Sequence, residues 1–226
     1  KYKTYLSLQN KNRKRKKKMN KNLTDLTVII DRSGSMYSCK DEAQGGVNQL
    51  IDDQKKEDGQ CNFTLAQFDT EYELINDGTP INQVGKFTLV PRGGTALLDA
   101  VGKTVASVGE RLAAMDEKDR PRLVSVVIVT DGRENSSEEF TKAQIKEIID
   151  EQTNKYNWKF SFLGANQDAF AEATSMGIHT SASYSTSKSS EAFRGISAQH
   201  SRMRSATKSG GIVSADYTAA ELKSMK

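Results

Sequence analysis

Two runs of apolar, mostly β-branched residues constrain the fold of this chain most. The first covers residues 26–30 and leads directly into Asp31, and the second covers residues 123–129 and is followed after one threonine by Asp131. Continuous apolar runs of this length are typical of central strands in a parallel sheet that is buried on both faces. Because parallel strands end at a common edge, the pattern predicts that the two aspartates lie on the same edge of one sheet.

Strand and helix patterns alternate along the chain, which favours an α/β fold with helices on both faces of a sheet. We expect a Rossmann-like, three-layer α/β/α architecture with a mostly parallel sheet of about six strands and one antiparallel edge strand. The spacing of apolar residues predicts helices that begin near Cys39, Leu97, Ser136, Phe170 and Ser189. The predicted strands cover residues 26–30, 61–68, 72–75, 123–129, 158–163 and 178–184.

The residues after the first apolar run have the chemistry of a metal site. Asp31, Ser33 and Ser35 bring a carboxylate and two hydroxyls within five residues, and Gly34 allows a sharp turn between the serines. Hard oxygen ligands of this kind suit Mg²⁺ or Mn²⁺. The alternative is an ordinary strand-to-helix turn in which the same residue types only cap the helix.

This Asp-x-Ser-x-Ser segment resembles the metal-ion-dependent adhesion site of von Willebrand factor type A (vWA) domains. Residues 91–100 are similar to that family's Gly-Thr-x-Leu loop, and residues 124–132 resemble its second buried strand and second carboxylate. The resemblance spans roughly residues 24–205 and implies a complete ligand set. The implied metal ligands are Asp31, Ser33, Ser35, Thr95 and Asp131.

The resemblance implies a divalent-metal-dependent protein-binding (adaptor) domain and no enzymatic activity. A site built mostly of neutral hydroxyls leaves much of the charge of Mg²⁺ or Mn²⁺ uncompensated, so a partner protein can supply a Glu or Asp side chain to the ion. Arginines near the site would steer such an acidic partner, although solvated loop charge is the simpler interpretation of each one. The expected partner-binding rim consists of Arg32, Met36, Tyr37, Arg92 and Arg133.

Common catalytic motifs are absent from the sequence. The serines do not lie in Gly-x-Ser-x-Gly, and neither glycine pair matches a phosphate-binding loop. His179 and His200 stand late in the chain without a motif, and we expect both at or near the surface. Two metal-based alternatives stay open: a metal-dependent phosphoester hydrolase acting through Asp31, and a site whose ion only stabilises the fold.

The positive charge of the chain belongs to its first residues. Residues 1–18 contain nine Lys or Arg and no acidic residue, whereas residues 19–226 contain 24 basic and 29 acidic residues. This basic run has three interpretations: an arm that binds nucleic acid, a solvated run without a partner, or a segment that is not native protein and precedes a start at Met19. The remaining domain is mildly acidic.

These patterns divide the chain into three parts. We expect a basic extension over residues 1–22 that is disordered or not native, a vWA domain over residues 23–207, and a loosely ordered tail over residues 208–226. Cys39 and Cys61 flank a predicted helix of roughly 17 residues, which would hold them about 25 Å apart and unpaired. Free thiols, with no export signal and no apolar run long enough for a membrane span, predict a cytoplasmic location in a bacterial or phage-like setting.

Overall fold

The computed structural model of the protein describes residues 19–165, 169–184 and 189–225. The basic run over residues 1–18 lies outside them. The strands are β1 (Asn20–Asp31), β2 (Gln60–Phe68), β3 (Tyr72–Pro80), β4 (Pro121–Thr130), β5 (Lys159–Gly164) and β6 (Thr180–Ser183). The α-helices are α1 (Lys40–Lys56), α2 (Leu97–Ala113), α3 (Lys142–Tyr156), α4 (Ala169–Ser175), α5 (Ser189–Ser209) and α6 (Ala219–Ser224), with 3₁₀ helices at Gly34–Cys39 and Ile81–Gln83.

The six strands form one sheet in the order β3-β2-β1-β4-β5-β6. Strand β3 runs antiparallel to β2, and every other neighbouring pair is parallel. This confirms the predicted mostly parallel sheet with one antiparallel edge strand. Strand β1 pairs with β2 on one side and with β4 on the other, so the strand order reverses between β1 and β4. In open α/β sheets, ligands bind beyond the carboxyl ends of the strands at such a reversal.

Each face of the sheet carries its own apolar core. Side chains alternate along a strand, so Val28 and Ile30 of β1 pack under α1 and α5, whereas Ile29 packs under α2 and α3 on the opposite face. All three side chains are buried. The burial of β1 on both faces explains why residues 26–30 are mostly apolar before Asp31. Among the described residues, no helix has the length and apolar character needed to cross a membrane.

Helix α3 begins at Lys142, and the prediction of a helix start near Ser136 is wrong. The N-cap is Thr141, whose side chain accepts a hydrogen bond from the backbone of Gln144 while the Gln144 side chain accepts one from the backbone of Thr141. Ser136 and Ser137 instead hydrogen-bond the carboxylate of Glu134 in the loop that precedes α3. Both sites have the residue types of helix caps, so the sequence pattern alone did not separate them.

The domain extends further at both ends than the sequence pattern indicated. Strand β1 already begins at Asn20, inside the segment assigned to the basic extension. At the other end, residues 208–225 differ from the expected loosely ordered tail: Met225 is buried against Gly195 of α5, and Arg202 hydrogen-bonds Glu221 of α6. The apolar contacts come from Met225 and the partly buried Tyr217, which are too few to form a recognisable pattern in the sequence.

His200 is buried, and its predicted place at or near the surface is wrong. Only 1% of the residue is exposed, and its Nδ1 atom lies 3.0 Å from the Ser125 hydroxyl oxygen. Burial lowers the pKa of His200 from 6.5 to about 3, with a further contribution from the charge of Arg204. The other histidine, His179, is exposed as expected. A buried neutral imidazole makes the stability of the fold depend on pH.

Replacing His200 by glutamine is expected to reduce that pH dependence. Below the ordinary pKa of 6.5 the unfolded chain takes up a proton that folded His200 does not bind until about pH 3. The stabilisation is therefore complete above pH 6.5 and falls with decreasing pH, by a slope that approaches about 1.4 kcal/mol per pH unit. Urea unfolding of the wild type and of His200→Gln between about pH 7 and pH 5 measures this slope. An equal pH slope in wild type and His200→Gln would contradict this assignment.

Candidate metal centre

The two predicted carboxylates lie at the point where the strand order reverses. Asp31 is the last residue of β1, and Asp131 follows the last residue of β4. The buried Asp31 accepts hydrogen bonds of 2.6 Å from the backbone N–H of Ser33 and from the hydroxyl of Thr130. Thr130 was not assigned a role from the sequence, and its position just before Asp131 is the only signal of one. Its hydroxyl fixes one carboxylate oxygen of Asp31.

The two serines connect these carboxylates. The hydroxyl oxygens of Ser33 and Ser35 lie 3.0 Å apart, and the Ser35 hydroxyl donates a hydrogen bond of 2.6 Å to Asp131. Ser33 is buried, whereas Ser35 is exposed and Asp131 is half-buried. One side of the cluster therefore faces the protein interior and the other faces solvent.

Thr95 completes the cluster, and Gly132 leaves space beside it. A methyl group built at Gly132 would lie 2.9 Å from the Thr95 hydroxyl oxygen, 3.4 Å from Asp31 Oδ2 and 3.5 Å from the Ser35 hydroxyl oxygen. Three of the five predicted ligand oxygens thus surround one small space that any side chain at position 132 would enter. The residues present fit a small cation with oxygen ligands.

Backbone hydrogen bonds hold the Thr95 loop against the end of β1. The N–H of Gly34 donates to the carbonyl of Gly93 at 3.1 Å, and the N–H of Arg92 donates to the carbonyl of Arg32 at 2.7 Å. Gly93 has a φ of 67°, a left-handed conformation that favours glycine. The Gly-Gly-Thr sequence therefore serves the turn that brings Thr95 to the aspartates.

The loop after Asp131 holds Thr95 from the other side. Asn135 donates its backbone N–H to the Thr95 carbonyl at 3.0 Å, and its side-chain oxygen accepts the Thr95 N–H at 2.9 Å. Asp99, in the first turn of α2, accepts three hydrogen bonds of 2.9–3.0 Å from the backbone of residues 138–140. Burial favours a raised pKa for Asp99, but these N–H groups hold it below the ordinary 3.8. Asp99 therefore connects the loop that follows Asp131 to α2, the helix that follows Thr95.

Replacing Asp99 by alanine is expected to loosen this arrangement. Three backbone N–H groups lose a charged acceptor, which we expect to cost about 2–3 kcal/mol of stability. The affinity for Mg²⁺ is expected to fall roughly tenfold, because residues that orient metal ligands contribute at this level. Urea unfolding and calorimetric titration measure the two effects. Asp119→Ala, which changes an exposed carboxylate, is the control. An unchanged affinity in Asp99→Ala would show that the loop does not position the ligands.

The electrostatics of the cluster also suit a cation. Burial raises the pKa of Asp31 to about 6, opposed by its hydrogen bonds and reinforced by the nearby charge of Asp131. Burial likewise raises the pKa of Asp131. Two carboxylates that are costly to ionise together are stabilised by a positive ion between them. Within the described ranges, no three or more His, Cys, Asp or Glu side chains form a metal-binding group, so an ion here depends on hydroxyl oxygens as well.

Two residues of the predicted rim are not at the surface, and their assignment to it is wrong. Arg32 is 5% exposed, and its guanidinium contacts Asp69 at 2.8 Å and Glu73 at 2.6 Å. It compensates the buried charge of Asp69 and is oriented inward for that reason. Met36 is fully buried in the core beneath α1. The spacing of residues around the metal-site motif did not reveal which side of the 3₁₀ helix faces the core.

The other three rim residues are exposed. Tyr37 lies on the 3₁₀ helix after Ser35, and Arg133 lies just after Gly132. Arg92 precedes the two glycines of the Thr95 loop, and its guanidinium contacts Asp69 at 2.7 Å and also Glu71. The accessible surface around the cluster therefore combines an aromatic side chain with two guanidinium groups.

Comparison with known proteins shows the fold. No family model and no curated protein matches the chain, but solved structures of vWA domains do. A von Willebrand factor type A protein from Catenulispora acidiphila has 14% identity and a TM-score of 0.52, over 78% of this chain and 42% of that one. Manganese-loaded TRAP protein of Plasmodium vivax has 15% identity and a TM-score of 0.52, over 75% and 71%.

A third solved structure agrees with these two. The protein BatB from Bacteroides thetaiotaomicron has 14% identity and a TM-score of 0.51, over 80% of this chain and 99% of that one. The chain spans less than half the length of the Catenulispora protein. Together the likenesses show that the chain has the vWA fold.

Proposed function

We propose that the protein is a divalent-metal-dependent protein-binding (adaptor) domain. The observation that carries the proposal is the convergence of carboxylate and hydroxyl oxygens around the space at Gly132. The ion would be Mg²⁺ or Mn²⁺, which prefer hard oxygen ligands. It would supply the positive charge that attracts an acidic side chain of a partner protein. The residues proposed to hold it are Asp31, Ser33, Ser35, Thr95 and Asp131.

The arrangement of buried and exposed ligands supports an open site. Asp31, Ser33 and Thr95 are buried and would hold the ion from the protein side. Ser35 is exposed and Asp131 is half-buried, so the solvent side is accessible. Mg²⁺ keeps several waters when protein ligands are few, and a partner carboxylate can replace one of them. The solved TRAP structure is manganese-loaded, which supports metal binding by this fold.

We further propose that the protein acts in the cytoplasm and is not an enzyme. The proposed site binds an ion and a carboxylate, and no reaction step is assigned to its residues. Turnover of a generic phosphoester that disappears in Asp31→Ala would contradict this part of the proposal and favour the metal-dependent hydrolase.

Affinity capture tests the adaptor function. The full chain serves as bait in lysate of the source cells, with Mg²⁺ or with a chelator, beside Asp31→Ala and the control Asp119→Ala. We expect a protein retained by the wild type and by Asp119→Ala in Mg²⁺, and lost in chelator and in Asp31→Ala. Retention that is indifferent to the metal and to Asp31 would contradict the proposal. Capture that persists in Asp31→Ala, while Mg²⁺ raises the melting temperature of the wild type and not of Asp31→Ala, would indicate an ion that only stabilises the fold.

A further inference from the structure

We propose that the acidic residue of the partner is flanked by an apolar side chain, which packs on a patch formed by Tyr37 and Val90. The inference rests on the proposed function, because the metal-bound carboxylate places the partner beside this patch. It adds to the metal site a second, chemically different contact and so defines which acidic segments the protein selects.

Both side chains of the patch are unusually exposed. Tyr37 is 69% exposed and Val90 is 60% exposed; among the large apolar side chains that the structure describes, only Ile212 is more exposed, at 95%. Single exposed apolar residues are ordinary on protein surfaces, whereas exposed apolar residues grouped beside a binding site mark an interaction surface. Whether Tyr37 and Val90 mark an interaction surface therefore depends on where they lie relative to the proposed metal site.

Tyr37 is exposed on the same 3₁₀ helix as a proposed ligand, Ser35. Met36 and Cys39 of this helix are fully buried, whereas Ser35 and Tyr37 are exposed. The inward residues anchor the helix to the core beneath α1, and both Ser35 and Tyr37 remain accessible to solvent. The phenol ring therefore stands two residues from the exposed hydroxyl of Ser35.

Val90 lies on an extended segment that runs beside this helix. The backbone N–H of Leu89 donates to the Gln44 side chain of α1 at 2.9 Å, and the N–H of Gly34 donates to the carbonyl of Gly93 at 3.1 Å. These bonds hold the segment that contains Val90 against the stretch from Gly34 to Gln44, and Tyr37 lies within that stretch.

The burial along this segment alternates strictly, from buried Phe87 through exposed Thr88, buried Leu89 and exposed Val90 to buried Pro91. Period-two burial means that the core fixes the orientation of the inward residues and leaves Val90 directed to solvent. An exposed position in this segment can hold a polar residue, as Thr88 does. A valine at position 90 is therefore unnecessary for the fold and is available for contact with a partner.

The chemistry of the patch selects the neighbour of the partner's acidic residue. A carboxylate is attracted to the ion, and an aliphatic or aromatic side chain next to it is removed from water on the ring of Tyr37 and the methyl groups of Val90. We expect such a neighbour to improve affinity roughly tenfold over alanine, about 1.4 kcal/mol. Affinity from an exposed metal-bound carboxylate alone would not distinguish one acidic segment from another.

A displayed library of short random peptides tests the inference. The central position is restricted to Glu, Asp, Gln or Asn, the flanking positions are random, and selection uses the full chain in Mg²⁺. We expect enrichment of Glu or Asp at the centre and of apolar residues at the flanking positions on one side. The double variant Tyr37→Ser, Val90→Ser should keep the acidic preference and lose the apolar one. Ile212→Ser, which removes an exposed apolar side chain elsewhere, should keep both.

The outcomes separate this inference from the function on which it rests. An acidic centre without an apolar preference, or an apolar preference that survives in the double variant, overturns the inference and leaves the proposed function standing. Selection without an acidic preference, or selection that persists in chelator, overturns the proposed function and the inference with it. Calorimetric titration with Mg²⁺ verifies that the double variant retains the metal site, since neither side chain is a proposed ligand.

Discussion

Replacing Gly132 by alanine is expected to lower the affinity for Mg²⁺ or Mn²⁺ roughly 100-fold, the upper end of the effect of disturbing residues that orient metal ligands. The added methyl group would lie 2.9 Å from the Thr95 hydroxyl oxygen and within van der Waals distance of Asp31 and Ser35. It would occupy the space between the proposed ligands without removing any of them. Calorimetric titration with each ion measures the effect.

Gly109→Ala is the matched control for this substitution. A methyl group at Gly109 has no neighbouring atom within 4 Å, so it is expected to leave metal affinity unchanged and to stabilise α2 by up to about 1 kcal/mol. The unfolding free energy of Gly132→Ala should stay close to that of the wild type when no metal is present. A Gly132→Ala protein that is folded and binds the ion as tightly as the wild type would show that the ion does not lie in this space.

Replacing Arg111 by methionine is expected to cost about 3–5 kcal/mol of stability, the usual effect of removing one partner from a buried ion pair. Asp25, in the middle of β1, is fully buried, and burial raises its pKa while Arg111 opposes that shift. The Arg111 guanidinium contacts Asp25 at 2.9 Å and Asp77 of β3 at 2.8 Å. Without it, the Asp25 carboxylate is left in the core without its compensating charge. Urea unfolding measures the loss.

Two further variants separate the buried charge from the loss of packing. Asp25→Leu combined with Arg111→Met removes both charges and is expected to recover at least about half of the lost stability. Arg122→Met, which changes an exposed arginine, is expected to alter stability by less than about 0.5 kcal/mol. A loss below about 1 kcal/mol in Arg111→Met would contradict the view that this ion pair joins α2 to the sheet.

The parts of the fold that could be predicted depend on sequence patterns that are compatible with few structures. A strand buried on both faces is mostly apolar, so residues 26–30 of β1 and 123–129 of β4 were recognisable from the sequence alone. Parallel strands end at a common edge, which brought Asp31 and Asp131 together in the prediction as they are in the structure. The position of Thr95 followed from the resemblance and agrees with its contact to the space at Gly132.

The parts that could not be predicted depend on which side of an irregular segment faces the core. Arg32 and Met36 stand beside the metal-site motif, but a buried carboxylate and an apolar core turn them inward. Burial of His200 depends on α5 packing over the sheet, where Ser125 of β4 meets its ring. Asp99 has the position of an ordinary acidic residue in a first helical turn, and its three loop contacts arise only in the folded chain.

The most direct test of the proposed metal site is a titration of the full chain with Mn²⁺, in which electron paramagnetic resonance measures the free ion. We expect one bound ion per chain in the wild type and loss of that binding in Asp131→Ala. Thr95→Ser should bind with an affinity between these two, because serine retains a hydroxyl. Asp119→Ala should bind as the wild type does. A wild-type chain that binds no Mn²⁺, or an Asp131→Ala chain that binds it equally well, would contradict the central claim that these oxygens form a metal site.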